Sequence, residues 1–264
     1  MSEATVHQLF DLTGKTSLIT GASGHLGGAL ARALAEAGSR VVVTSRDLER
    51  AREVAVKLPD PNSVGHFGAV LDHMDTAQLE AHFGAIVEKS GRIDVLVNNG
   101  HEHCANDWTD ISGEQFTRVL ANATGYFLLA RLVRQHALYR SAPVSVIMLG
   151  SMYGQVASYP DAYNDIGPAS SVAYHTLKGG VLHLTRHLAI YWADDGVRVN
   201  SLSPGPFPAD SVAPGLIDSL EKHSPLRRMG RPDELKGAVV FLASDASSYM
   251  TGQNLVIDGG WTAW

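Results

Sequence analysis

Short runs of Val, Ile and Leu recur along the chain, separated by stretches whose apolar positions fall at helical intervals. Thr16 to Thr20, Arg40 to Thr44, Ile93 to Asn98, Val144 to Gly150, Val197 to Ser203 and Asn254 to Asp258 read as buried strands, with Ser63 to Leu71 a less apolar candidate. Between the first two, Leu26, Leu30, Ala33, Leu34 and Ala37 keep helical spacing before Gly38, a residue suited to end a helix. Strands alternating with helices predict an α/β fold, a doubly wound parallel sheet covered on both faces. No repeat, low-complexity tract or Pro/Gly/Ser linker divides the chain, so one domain over 1–264 is expected. Pro204 to Pro214 reads as a loop. Pro206 to Ser224 forms a flap expected to close over bound ligands.

Composition narrows the function more than the fold. With 264 residues, 45% of them hydrophobic, the chain can bury one sizeable core. Its net charge of -6 comes with no cluster of Lys and Arg, which argues against nucleic acid and anionic membranes and for a small-molecule substrate. No apolar run is long enough to span a bilayer, and Met1-Ser2-Glu3-Ala4 leads into no signal-type apolar core. A cytoplasmic protein is expected. The one cysteine, Cys104, has no intrachain partner.

The first strand runs into Thr20-Gly21-Ala22-Ser23-Gly24-His25-Leu26-Gly27, with a helix starting inside the motif. Glycines here let the backbone turn tightly and approach a pyrophosphate, whose charge a helix N-terminus stabilises. Gly21, Ser23, Gly24, His25 and Leu26 are therefore candidate cofactor contacts. His25 has two readings, a phosphate donor or a helix cap, and capping is favoured. The second strand ends Val43-Thr44-Ser45-Arg46, where a dinucleotide fold meets the adenosine ribose. A carboxylate there would repel a 2'-phosphate; Ser45 is small and Arg46 cationic, which favours NADP(H). NAD(H) stays open, because Arg46 also reads as a solvated charge opening the next helix.

Tyr174-His175-Thr176-Leu177-Lys178 continues through Leu182, Leu184 and Leu188 with helical spacing, so Tyr174 and Lys178 share one helix face. A phenol has a reference pKa near 10, and bringing it to ~7 takes roughly 4 kcal/mol of preferential phenolate stabilisation. A neighbouring ammonium and an oxidised nicotinamide are able to supply it. The Tyr-x-x-x-Lys pattern alone is common on helix surfaces. Its company gives it weight.

That company is Asn98-Asn99-Gly100 after the fourth strand, Asn122 in the next helix, Gly150-Ser151 after the fifth strand and Pro204-Gly205 after the sixth. Arg231-Pro232-Asp233-Glu234 and the ending Asp258-Gly259-Gly260-Trp261 follow. With these motifs in this order the chain resembles the short-chain dehydrogenase/reductase family over nearly its whole length. The resemblance implies a single Rossmann-type domain with a seven-stranded parallel sheet, usually assembled as a homotetramer. It also implies that Tyr174 donates or accepts the proton, that Lys178 binds the nicotinamide ribose, and that Ser151 orients the substrate oxygen. Asn122 would hold the water linking Lys178 to solvent. Asp72 would contact the adenine, Asn98 and Gly100 would pack beside the adenosine ribose, and Pro204, Gly205 and Phe207 would complete the cofactor site. Asn98 also reads as a strand-end stabiliser of the sheet.

Departures from the family pattern cluster around the substrate. In the glycine turn His25 stands where a glycine is usual and Gly24 is extra, a spacing resembling the longer, sugar-nucleotide-modifying branch. The usual Asn-Asn-Ala-Gly has become Asn98-Asn99-Gly100-His101, followed by Glu102, His103 and Cys104, which read as a polar loop at the substrate mouth rather than a metal site. Ala209 replaces the Thr usual after Pro-Gly. The interval from Ser151 to Tyr174 exceeds the usual one, and its extra segment, Gln155 to Ser171, is expected to face His101 to Cys104 and shape the pocket. Candidate substrate contacts are His101, Glu102, His103, Ser151, Tyr153, Tyr159, Tyr163, Asn164 and Tyr174, a set rich in hydrogen-bonding and aromatic groups that suits a sugar, sugar acid or polyol. The expected function is NAD(P)-dependent interconversion of a secondary alcohol and a ketone, with no metal. Alternatives are reduction of a 3-oxoacyl thioester and a catalytically silent binding protein.

Overall fold

The computed structural model describes residues 3–163 and 166–263, the first helix being the short α1 (Val6–Phe10). Strands β1 (Thr16–Thr20), β2 (Arg40–Ser45), β3 (Phe67–Val70), β4 (Val95–Asn98), β5 (Val144–Leu149), β6 (Val197–Pro204) and β7 (Asn254–Ile257) form one parallel sheet in the order β3-β2-β1-β4-β5-β6-β7. The expected seven-stranded parallel sheet is present. Two strands start later than their apolar runs suggest, and side chains explain both. The Asp94 carboxylate accepts the Thr16 N–H at 2.8 Å in place of a ladder partner, so β4 begins at Val95. Asp60 takes the N–H groups of Val64 and Gly65, holding a turn that postpones β3 to Phe67.

Side chains alternate along each strand, and both faces are covered. Leu18, Val42, Leu96, Val146 and Met148 pack under α4 (Leu79–Ser90), α5 (Gly113–Arg140) and α6 (Val172–Tyr191). Ile19, Val41, Val43, Val97 and Ile147 pack under α2 (His25–Glu36), α3 (Leu48–Val56) and α8 (Lys236–Ala243). Full burial of such a side chain contributes about 1.5–3 kcal/mol, so the two layers hold the sheet rigid beneath the site. Helix α2 ends where expected: Gly38 adopts φ 93°, and Ser39 N–H reaches back to the Leu34 carbonyl at 3.0 Å.

A third, smaller cluster lies beyond the strand ends. Met152, Ala162, Leu220, Met229 and Trp261 join the segment after β5, helix α7 (Pro214–His223) and the C-terminal turn. Among the described residues no helix is long and apolar enough to cross a membrane. The chain leaves β1 towards one edge of the sheet and β4 towards the other, so a crevice opens where their C-terminal ends part. Asn99 closes its floor. Its amide nitrogen donates to the carbonyls of Thr20 (2.9 Å) and Gly21 (3.1 Å), while Thr20 Oγ1 accepts from the N–H groups of Asn99 and Gly100.

Candidate active site

The crevice is a cavity of about 650 Å³ reaching from the end of β2 to the start of α6. Its glycine turn is shaped by close approach. Gly21 sits at φ +65°, where a Cβ would come within 2.7 Å of Gly100 Cα, and a Cβ on Gly27 would meet the Gly21 carbonyl at 2.2 Å. Helix α2 begins at His25 with Gly24 as N-cap and no side-chain cap, so its first N–H groups face the cavity unoccupied by the protein's own acceptors. This fits a bound pyrophosphate. His25 is exposed at the rim in the first helical turn and makes no capping bond, against the favoured expectation; glycine, not histidine, holds the cap position.

Ser45 and Arg46 line the cavity at the end of β2, and Arg50 joins them. The Arg50 guanidinium donates to the Ser23 carbonyl at 3.4 Å. Arg46 stands just before Asp47, the N-cap of α3, and Arg50 lies in the first turn of that helix, so both basic groups gather at one helix start. Asp72 lines the cavity, with one carboxylate oxygen accepting the Met74 N–H at 2.9 Å. Ser23, Gly24, Leu26, Gly100, Pro204, Gly205 and Phe207 also lie on the wall. Asn98 does not. It is fully buried, its amide nitrogen donating to the Tyr126 carbonyl at 3.0 Å, so it ties β4 to α5 while Asn99 takes the place on the wall.

At the far end Ser151, Tyr174 and Lys178 meet. Ser151 lies two residues beyond the end of β5 and caps the single turn Met152–Gly154, its hydroxyl accepting the Tyr153 N–H at 3.1 Å. Burial raises the pKa of the Tyr174 phenol, and the neighbouring Ser151 hydroxyl pulls it in the opposite direction. Lys178, one helical turn on, is buried; its Nζ donates to the Leu149 carbonyl at 2.6 Å and lies 5.6 Å from the centre of the Tyr174 ring. Loss of hydration lowers its pKa from 10.5 to about 7. The three groups can pass a proton to or from an oxygen held between Ser151 and Tyr174.

Asn122 stands behind this set. Its amide oxygen accepts the Glu102 N–H and the His73 Nε2–H, each at 2.8 Å, and its nitrogen donates to the carbonyls of Val119 (2.8 Å) and Glu102 (3.1 Å). All four bonding positions of the side chain are filled, so it braces the loop at Glu102. The Glu102 carboxylate is gripped by Arg118 at 2.5 and 2.8 Å. His101 lines the cavity with its ring edge-on to Tyr174, centres 5.4 Å apart.

Other candidate substrate residues lie outside the cavity wall. His103 is exposed. Tyr153 stacks on His175 at 4.5 Å and its hydroxyl meets that of Tyr163 at 3.0 Å. Tyr159 stacks on His223 of α7 at 4.4 Å. Asn164 lies outside the described residues. The extra segment therefore touches the His101 loop region through the Ala169 N–H on Asp107, and otherwise leans on α7. Among the described residues no three His, Cys, Asp or Glu side chains gather as a metal cage.

A parallel sheet with an open helix N-terminus at its switch point, and a Ser-Tyr-Lys set at the far end of the same crevice, defines a dinucleotide-dependent oxidoreductase. Residues 21–262 match the family described as Enoyl-(Acyl carrier protein) reductase, and the chain belongs to it, within the short-chain dehydrogenases/reductases. Sorbose reductase sou1 of Schizosaccharomyces pombe is 35% identical over 96% of this chain and 98% of its own length. D-threitol dehydrogenase of Mycolicibacterium smegmatis is 34% identical over 98% of this chain and 97% of its own. The crystal structure of a gluconate 5-dehydrogenase from Burkholderia cenocepacia in complex with NADP and tartrate superposes with a TM-score of 0.87 at 31% identity, covering 98% of this chain and 100% of that one. The chain is an NAD(P)-dependent oxidoreductase acting on CH–OH groups.

Proposed function

We propose that this enzyme interconverts a secondary hydroxyl and a ketone on a sugar, sugar acid or polyol, with NADP(H) preferred and NAD(H) accepted more weakly. The observation that carries the reading is the meeting of Ser151, Tyr174 and Lys178 on one wall of the cavity, with the Lys178 nitrogen 5.6 Å from the centre of the Tyr174 ring. When bound, the nicotinamide supplies the hydride acceptor or donor. Tyr174 takes the hydroxyl proton during oxidation and returns it during reduction, while Ser151 holds the same oxygen in line. Lys178 holds the nicotinamide ribose, and its positive charge next to the phenol offsets the burial that opposes phenolate. Asn122 keeps the loop beside them in place.

Arg46 and Arg50, both on the cavity wall and with no carboxylate at position 45, support the NADP(H) preference. Names among the relatives support the substrate class: sorbose, D-threitol, D-arabinitol and mannitol. His101 and Glu102 are the polar groups of the loop that reach the wall. His103, Tyr153, Tyr159 and Tyr163 would act from outside it, by holding the loop and flap. A homotetramer in the cytoplasm completes the reading. Its support is the exposed apolar surface at the ends of α5 and α6, where Tyr139, Ile190 and Tyr191 stand in solvent.

A substrate screen following absorbance of the reduced cofactor tests this, run with NADP and NAD against polyols, sugars, sugar acids and oxoacyl thioesters. Turnover of polyols or ketoses, faster with NADP, is expected. Turnover confined to the thioesters would replace the substrate class, and none with any of them would overturn the reading.

A further inference from the structure

His101 stands where the family's turn usually carries glycine, and its ring is set in the cavity with nothing bonded to it. Both ring nitrogens are shielded and without a hydrogen-bond partner. Buried polar atoms left open in this way are uncommon, since each forfeits hydration with no return. The backbone on either side of the ring is nevertheless held in place. On one side the Gly100 N–H is fixed to Thr20 Oγ1 at 2.8 Å; on the other the Glu102 backbone is fixed at both its N–H and carbonyl by Asn122. Arg118 holds the Glu102 carboxylate as well. A polar ring whose backbone is pinned on both sides and whose nitrogens are left unsatisfied is built to meet a ligand.

The chemistry of the ring and its position define that ligand group. Burial keeps the imidazole neutral, with its pKa down at about 3, so it presents one donor and one acceptor across the working pH range. A carboxylate or a carbonyl only accepts and can meet only the protonated nitrogen. A hydroxyl both donates and accepts, so it can meet whichever nitrogen is turned to the substrate. The oxygen that reacts belongs to Ser151 and Tyr174, and His101 lies edge-on to the Tyr174 ring at 5.4 Å between centres, so the group it meets is borne by the next carbon. We propose that His101 is a specificity-determining residue that hydrogen-bonds a hydroxyl on the carbon adjacent to the reacting one, so that the substrates are vicinal diols and their α-hydroxy ketones. This rests on the oxidoreductase reading above and adds which part of a polyol is recognised.

The test compares two ketones differing by that one hydroxyl, hydroxyacetone and butanone, reduced by the purified enzyme with NADPH. The parent should favour hydroxyacetone in kcat/KM by about 10- to 100-fold, as expected for one well-placed hydrogen bond in a shielded site. His101→Phe keeps a ring of similar size without polar atoms and should bring that ratio close to one. His101→Gln, which restores a donor and an acceptor, should recover part of it. Thermal melting of each variant, and cofactor affinity by fluorescence titration, are measured alongside. An unchanged ratio in His101→Phe overturns the proposal, as does a loss that falls equally on both ketones together with weakened NADPH binding, which would assign the ring to the cofactor. Failure of the parent to reduce either ketone while it turns over polyols in the screen above overturns the proposal alone; failure with the polyols as well overturns the substrate class on which it rests.

Discussion

Lys178 lies one helical turn beyond Tyr174 on α6, its nitrogen 5.6 Å from the centre of the phenol ring and anchored to the Leu149 carbonyl at the end of β5. The pair is thus fixed to the sheet and not only to its own helix. Burial acts on both members against charge: the phenol is raised and the ammonium lowered to about 7. The charged pair that catalysis needs is favoured only once anionic and cationic groups of a bound cofactor enter the crevice. Removing the phenol hydroxyl leaves this anchoring intact. Tyr174→Phe should therefore lower kcat by about 10³-fold or more while the affinity for NADPH stays within a few-fold, because general acid-base catalysis is lost and the binding groups are kept. Steady-state kinetics with a fluorescence titration checks it, and turnover near the parent's would sink the assigned role.

Ser151 is the group that pulls the Tyr174 pKa back down. Ser151→Ala removes that influence, so the acid limb of alcohol oxidation, set by deprotonation of the Tyr174 phenol, should move to higher pH. At neutral pH kcat/KM should fall by about 10²–10³-fold, the usual cost of losing one donor to a reacting oxygen. A pH-rate profile of the variant separates the two effects. A lower rate with an unmoved limb would show that Ser151 only positions the substrate.

How far the sequence spoke for the site can be judged from single residues. Ser151, Tyr174 and Lys178 converge as read, since a strand end and two positions four apart on a helix leave little freedom. The strands were legible because strands buried on both faces are apolar runs, and their alternation with helices admits few topologies. Asn122 keeps its place behind the pair, but its side chain is filled by Glu102 and His73, a contact between segments 20 and 49 residues away that no local pattern encodes. Asn98 and Asn99 are adjacent and of one type. Only the pleat decides which faces the sheet and which the crevice. Tyr159 carried no signal for its stacking on His223, since helix spacing tells which face is apolar and not what covers it.

At the other end of the crevice, Arg46 and Arg50 present two guanidinium groups beside a small Ser45. Ser45→Asp with Arg46→Leu should reverse the cofactor order, because an anion then stands where the 2'-phosphate would lie. Arg50→Leu alone should weaken NADPH more than NADH. Dissociation constants for both cofactors decide the matter, and equal affinities in the parent would make the two arginines surface charges only.

The depressed Lys178 pKa also predicts how stability varies with pH. Unfolded, this amine holds its proton up to its ordinary value of 10.5; folded, it releases it near 7. Between those values the unfolded state binds more protons, so the Lys178 contribution to stability rises with pH. The melting temperature of the cofactor-free parent, measured relative to Lys178→Met, should climb from pH 7 towards pH 9. A flat or falling difference would mean that the buried nitrogen stays charged.

The flap offers the last prediction. Tyr159 stacks on His223 at the end of α7, planes 12° apart and centres 4.4 Å, while Trp261 meets Tyr159 edge-on at 5.5 Å. Asp161 lies 3.5 Å from the His223 ring, and Leu220 enters the same cluster. The segment between Ser151 and Tyr174 is thus joined to the helix that follows Pro204-Gly205. Tyr159→Ala removes the centre of the stack and leaves Ser151, Tyr174 and Lys178 untouched. One aromatic pair is worth about 0.5–1.5 kcal/mol, so the closed flap should lose roughly 2- to 12-fold in population relative to open forms. KM for the polyol should rise by about that factor with little change in cofactor affinity, and kcat should rise if opening of the flap limits product release. Hydrogen exchange over 214–223 gives an independent measure: amides there should exchange faster in Tyr159→Ala. A KM increase without faster exchange on α7 would place the effect of Tyr159 on substrate contact and refute the clamp.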